Sequence, residues 1–205
     1  MDREWNDKTF DQVPNGPFDK IKAKKREYIK GVLSRLTDEV EFEKSRRISL
    51  KLKDLFEGLQ PQTPSIIGGY APLRHEVLWY LKLLDCPTSF SFPTLIDQSS
   101  MTFRCCELGQ LVPLNRPGMK LSLLVPPADA KEVIPDVLLV PGLAFTKKGT
   151  RLGRGKGYYD RYLKSYYGKI WGICFEEQIL DEVPKADHDI PMELIITDSN
   201  IYECC

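Results

Sequence analysis

From residue 19 to residue 59, apolar side chains return at helical spacing. Ile21, Ile29, Val32 and Leu33 fall against Lys22, Lys24, Lys25, Arg26 and Lys30, which predicts an amphipathic helix beginning near Asp19. Thr37 or Asp38 then suits an N-cap, and Glu41 is spaced to close a capping box from Asp38. Ile48, Leu52, Leu55, Phe56 and Leu59 form the apolar stripe of a second helix, which Pro61 and Pro64 bring to an end. Residues 65–70 read as a short strand running into a Gly68-Gly69 turn, and residues 74–84 return to helical spacing through Val77, Leu78, Leu81 and Leu84.

Short strands are expected over 89–96, 101–107 and 121–125. The unbroken apolar run Val137-Leu138-Leu139-Val140, bracketed by prolines, predicts a central strand covered on both faces. A helix over 158–167 and strands over 170–175 and 194–197 complete the pattern. Strands alternating with helices imply an α/β layered fold with a mostly parallel central sheet flanked by helices. No internal repeat or composition shift divides it, so residues 19–205 read as one domain. Residues 1–18, polar and without periodicity, read as a flexible extension.

The chain has 205 residues, with 29 basic side chains balancing 29 acidic ones. That balance offers no bulk attraction to nucleic acid or to an anionic membrane. No apolar run approaches the roughly 20 residues that span a bilayer, and the first twenty residues lack a signal-peptide core, so a cytoplasmic protein is expected. Cys86, Cys105, Cys106, Cys174, Cys204 and Cys205 include no C-x-x-C pair, and they read as ordinary thiols rather than a zinc site.

The segment from Gly149 to Asp160 lies beyond the central strand and before a helix, where ligands bind in open α/β sheets. Gly153, Gly155 and Gly157 permit close backbone approach to oxygen anions. Arg151, Arg154 and Lys156 add positive charge, and a helix start adds its dipole. Asp160 stands one turn on, placed to share a magnesium ion with bound phosphates. Lys156 is followed by glycine rather than Ser or Thr, which excludes a Walker A loop, and Tyr158 stands where a dinucleotide fingerprint needs glycine. The residues alone therefore specify an anion site without naming its ligand, and a flexible basic loop with a solvated face is the less favoured alternative. Arg151, Arg154 and Lys156 beside Tyr158, Tyr159 and Tyr162 would also suit a nucleic-acid-binding module, although three cations make a small footprint.

Residues 140–145, Val-Pro-Gly-Leu-Ala-Phe, followed after a spacer by residues 151–161, Arg-Leu-Gly-Arg-Gly-Lys-Gly-Tyr-Tyr-Asp-Arg, resemble the signature block of the 5-formyltetrahydrofolate cyclo-ligase family. Weaker similarity runs from Lys22 and Arg26 through Tyr70, Pro72 and Glu76, Met101 and Phe103, and Phe175 and Gln178 to Pro184, His188 and Asp189. The resemblance implies an ATP- and Mg2+-dependent enzyme that closes 5-formyltetrahydrofolate to 5,10-methenyltetrahydrofolate. A monomer without nucleic-acid or membrane partners is expected, an oligomer being the alternative left open.

By that resemblance Lys22, Arg26, Arg151, Leu152, Gly153, Arg154, Gly155, Lys156, Gly157, Tyr158 and Tyr159 would bind ATP. Arg154 and Lys156 would stabilise the transferring phosphoryl group. Tyr70, Ala71, Glu76, Arg154 and Tyr158 would contact the folate, and Asp160 with Asp189 would hold magnesium. His75 and His188 gain no role from it. The chain departs from the family pattern at Pro126, where Glu or Gln precedes a proline in relatives, at Thr146 in place of an acid, and at Glu193 in place of Asp. The change at Pro126 leaves room for a paralogue that uses ATP on a different small acceptor.

Overall fold

A computed structural model of the chain describes residues 17–59, 65–83, 89–97, 99–114, 123–185 and 189–204. Residues 1–16 of the expected extension, and His188, Cys86 and Cys205, lie outside the described residues. Helix α1 spans Pro17–Leu33, with Asp19 in its first turn and Lys30 in its last, both favourable to the helix dipole. Ile29 and Leu33 are its buried face, whereas Ile21, expected beside them, is exposed. Helix α2 runs from Asp38 to Gly58 under an N-cap from Thr37, whose hydroxyl accepts the Val40 N–H at 3.4 Å. Asp38 and Glu41 sit inside the first turn, and the Glu41 side chain is turned to His75 instead of closing a capping box.

Among the described residues the main sheet has eight strands. In chain order they are β1 (Ile66–Gly68), β2 (Ser89–Leu95), β3 (Met101–Cys105), β6 (Glu132–Val133), β7 (Val137–Pro141), β10 (Lys169–Ile173), β11 (Leu194–Ile196) and β12 (Ile201–Glu203), arranged β12-β11-β10-β7-β1-β2-β3-β6. The intervening labels belong to two small ribbons: β4 (Val112–Pro113) with β5 (Leu124–Val125), and β8 (Ala144–Phe145) with β9 (Arg151–Leu152). Strands β11, β10, β7, β1 and β2 run parallel, β12 pairs antiparallel with β11 at one edge, and β3 and β6 continue the other side through antiparallel pairings. Among the described residues, no helix is long and apolar enough to cross a membrane.

Strand β7 lies inside the sheet, and its side chains alternate between two cores. Val137 and Leu139 pack with Ile29, Leu33, Ile48, Leu52 and Phe56 from α1 and α2. Leu138 and Val140 pack on the other side with Phe103, Phe145, Ile170 and Leu163, the last from α3 (Tyr158–Leu163). Each such side chain, fully buried, is worth about 1.5–3 kcal/mol relative to exposure, which is why the run is apolar throughout. Phe56 stacks on Trp171 at 5.5 Å and fastens α2 to β10.

One expected helix is absent. Described residues 74–83 form turns, although their apolar spacing fits a helix. Their backbone N–H groups are drawn to α2: Leu78 N donates to Ser45 Oγ at 3.1 Å and Lys82 N to Ser49 Oγ at 2.7 Å. The Trp79 indole donates to the Tyr70 carbonyl at 2.9 Å and fills the space above Gly69, where any Cβ would collide with it. These tertiary partners replace the i−4 carbonyls that a helix would offer.

Candidate active site

The parallel strands direct their carboxyl ends toward the loops that follow β1 and β7. After β7 the chain bends through Gly142 and forms the β8–β9 ribbon. Gly149 sits in the turn of this ribbon with φ +84°, its N–H on the Thr146 carbonyl and its own carbonyl taking the Met192 N–H at 3.0 Å. A Cβ there would lie 2.6 Å from the Met192 carbonyl oxygen, so this glycine serves the ribbon rather than the anion loop. Thr146, the departure from the family pattern, closes the same turn by accepting the Thr150 N–H on its hydroxyl at 3.2 Å.

The loop proper runs from Gly153 to Gly157 between β9 and α3. Gly155 and Gly157 adopt φ of +100° and +69°, a region that side chains with a Cβ resist. Gly157 is also the N-cap of α3. At six residues α3 carries only part of the dipole expected of a longer helix, so the cations around the loop matter more than the helix.

Those cations come from several elements. Arg26, on α1, reaches across and donates from Nε to the Gly153 carbonyl at 2.9 Å. Burial lowers its guanidinium from the ordinary value against the raising pull of Asp19 and Asp160. Lys22, one turn earlier, pairs with Asp189 at 3.7 Å. Arg151 is nearly buried, binds Asp160 and the Pro141 carbonyl, and lies over the Tyr159 ring. Arg154 donates from Nε to Glu76 Oε1 at 2.8 Å, while Lys156 is exposed at the loop surface. Arg161 binds the Lys156 and Ser99 carbonyls and lies over Tyr158, which braces the loop from behind.

The expected folate residues sit on the neighbouring loop after β1. Glu76 Oε2 accepts the Leu73 N–H at 3.0 Å, so both carboxylate oxygens are engaged. Ala71 is part-buried on the same loop. Tyr70 is buried, and its hydroxyl is directed to the Val77 carbonyl at 3.3 Å, inside the loop. Leu152 is core, so only its backbone is available to a ligand. Among the described residues, the buried Tyr159 hydroxyl has no hydrogen-bond partner. Burial, and then the nearby Glu76 carboxylate, push this phenol well up, and it stays a neutral donor. An unsatisfied buried hydroxyl costs about 1–3 kcal/mol, which a ligand oxygen would relieve.

The site thus gathers Lys22, Arg26, Arg151, Arg154 and Lys156 with Glu76, Asp160 and Asp189. Sequence reading missed Gln178 as a brace. Its amide donates to the Gly142 and Leu143 carbonyls at 2.9 and 3.1 Å and accepts the Phe175 N–H, which fixes the bend after β7. The available signal was the Phe175-x-x-Gln178 spacing within the family resemblance. Among the described residues, no group of three His, Cys, Asp or Glu side chains comes together as a metal cage.

Fold and site together define an α/β protein with a glycine-rich, cation-lined loop at the carboxyl edge of a mostly parallel sheet. Residues 87–198, more than half of the chain, match the model of the 5-formyltetrahydrofolate cyclo-ligase family. The chain belongs to that family. It is 34% identical over 91 residues to the 5-formyltetrahydrofolate cyclo-ligase of Escherichia coli K12, covering 41% of this chain and 50% of the relative. It is 40% identical over 67 residues to the mouse protein of the same name, covering 30% of this chain and 33% of the relative. The matched segment therefore spans half or less of these curated relatives. The fold agrees over a greater length with the solved 5,10-methenyltetrahydrofolate synthetase of Aquifex aeolicus, at a TM-score of 0.75 and 24% identity, covering 89% of this chain and 92% of that one.

Proposed function

We propose that this chain uses ATP to convert 5-formyltetrahydrofolate to 5,10-methenyltetrahydrofolate, releasing ADP and phosphate. The observation that carries the reading is the gathering of five cations around the Gly153–Gly157 loop, directly against a loop whose Glu76 carboxylate is tied to one of them. Nucleotide and acceptor subsites are thereby adjacent, as transfer between them requires.

The formyl oxygen is a poor leaving group until it is phosphorylated. The γ-phosphoryl group passes to that oxygen as its bond to the β-phosphate oxygen breaks and ADP departs. N10 then attacks the activated carbon and loses its proton. Phosphate leaves with the former formyl oxygen, and the carbon bridges N5 and N10. Phosphoryl transfer asks the protein for position and charge neutralisation. Lys22, Arg26, Arg151 and the loop N–H groups of residues 152–159 hold the triphosphate, and Arg154 and Lys156 stabilise charge on the group in flight. The Tyr159 hydroxyl offers a donor from below. Glu76 accepts from the amino edge of the pterin, with Tyr70, Ala71 and Tyr158 shaping its surroundings. Arg151 and Arg154 exchange a carboxylate for phosphate when the nucleotide enters.

Magnesium takes one or two carboxylates and completes its shell with phosphate oxygens and water. The part-exposed Asp160 carboxylate, at the start of α3, suits that donor set with Asp189, although both now face cations. Bound there, the ion would offset phosphate charge. The cytoplasm, where ATP and a soluble folate meet, is the proposed compartment.

The test mixes purified protein with 5-formyltetrahydrofolate, ATP and magnesium and follows methenyl absorbance in the near ultraviolet. Growth of that band supports the reading. ATP cleavage without it points to a different acceptor, in line with Pro126, and the absence of both signals overturns the reading.

A further inference from the structure

Next to Glu76 the backbone breaks a local rule. His75 has φ +62°, the sole positive value at a non-glycine among the described residues. A side chain with a Cβ is sterically disfavoured there, and such residues persist only where their surroundings hold them. The holding contact is visible. His75 Nδ1 lies 2.5 Å from Glu41 Oε1, both side chains are mostly buried, and Glu41 belongs to the first turn of α2. A carboxylate only accepts, so Nδ1 carries the proton between them.

The left-handed residue lets the chain double back. Glu76 closes the turn twice, with its N–H on the Leu73 carbonyl at 3.0 Å and its Oε2 on the Leu73 N–H at 3.0 Å. Its other oxygen is then directed at Arg154 on the nucleotide loop. A continuous path thus runs from the start of α2 through Glu41, His75 and Glu76 to Arg154.

We propose that His75, tethered to Glu41, is a positioning residue for Glu76: it holds the 73–76 turn so that the Glu76 carboxylate faces the acceptor subsite in register with Arg154. This rests on the folate reading above. Release of the tether lets His75 relax to negative φ, swings the carboxylate away and leaves the Leu73 N–H without its acceptor. The phosphate contacts of Lys22, Arg26 and Arg151 do not pass through this path, and Arg154, which trades Glu76 for phosphate when the nucleotide enters, is held by its own loop, so the loss falls mainly on the folate.

The experiment compares KM for 5-formyltetrahydrofolate and for ATP in His75→Ala, Glu41→Ala, their double variant and His75→Asn. Each alanine variant raises the folate KM about tenfold, as expected for one charged hydrogen bond, and leaves the ATP KM within about twofold. The double variant is no worse than either single one, because both cut the same link. His75→Asn restores the folate KM, since asparagine tolerates positive φ and places an amide nitrogen where Nδ1 stands. An unchanged folate KM in folded variants, or equal rises in both KM values, overturns the proposal. Should His75→Ala fail to fold, Glu41→Met, which removes the acceptor and keeps a good helix former in α2, carries the same KM comparison. A wild-type protein without methenyl product sinks the functional reading itself, whereas an active wild type with unmoved variants sinks the tether alone.

Discussion

Two charged clusters stand at the carboxyl ends of the parallel strands, built from similar side chains and joined in opposite ways. Around the Gly153–Gly157 loop, carboxylates hold cations from other segments: Asp160 with Arg151, Glu76 with Arg154 and Asp189 with Lys22. Cations outnumber carboxylates there. Beyond β10 and β11 the arrangement is a closed network. Lys44 on α2 donates to Glu177 at 2.9 Å and to Asp198 at 2.8 Å, and Asp198 also takes the Glu176 N–H at 2.9 Å. Glu176 in turn accepts from Thr197 and Tyr202, and Lys51 binds the Thr197 carbonyl at 2.8 Å. The Asp198 side chain is only 2% exposed. Ion pairs across open loops can trade a carboxylate for an incoming phosphate, whereas a buried network with shared partners cannot release one member without stranding another. The first cluster is arranged for a ligand and the second for holding α2 on the sheet.

The sharpest break of that comparison is Lys156→Ala, which removes charge from an exposed loop and no core contact. Turnover falls about 100- to 1000-fold with an unchanged melting temperature. Near-normal turnover in a folded variant would remove Lys156 from catalysis.

Next in size is Asp198→Asn, expected to cost about 2 kcal/mol in urea unfolding while the ATP KM stays put. A shifted KM with unchanged stability would reverse the roles of the two clusters. The network also has a pH signature. Desolvation pushes Asp198 up, but its hydrogen bonds to Lys44 and to the Glu176 N–H outweigh this and hold it below the usual carboxylate value. Lys44 agrees: desolvation lowers it, and bonds to Asp198 and Glu177 leave it raised. A depressed carboxylate contributes stability fully above its unfolded value of about 4 and loses it as pH falls through the folded value. Wild type and Asp198→Asn therefore converge in stability at acid pH, and a constant gap across the titration would contradict this linkage.

The smallest effect is expected from Asp160→Asn, which raises the magnesium needed for half-maximal turnover a few-fold. An unaltered metal requirement would leave Asp160 as a partner of Arg151 alone.

Much of the fold was legible because its signals are local. The stripe from Ile48 to Phe56 and the apolar run of β7 depend on near neighbours and appear where the pattern placed them, while the cap left open between Thr37 and Asp38 falls on Thr37. The turn over 74–83 was illegible because its competing acceptors, Ser45 and Ser49, lie 33 residues away in α2. Gly149 looked like part of the anion loop until Met192 was seen against it. The glycine-and-cation loop itself was readable, but the pairing of Arg154 with Glu76, 78 residues apart, was not.

By itself, the order of residues determined the helical and strand periodicities, the inner position of β7 and the chemical character of the loop, since each follows from spacing along a few turns or one strand. Only the tertiary structure decided which donor meets which acceptor, that Ser45 and Ser49 unmake a helix, and that Glu41 holds His75 beside Glu76. The physical reason is that a polar group takes the partner folding brings within reach, and that partner is set by packing between segments distant in the chain.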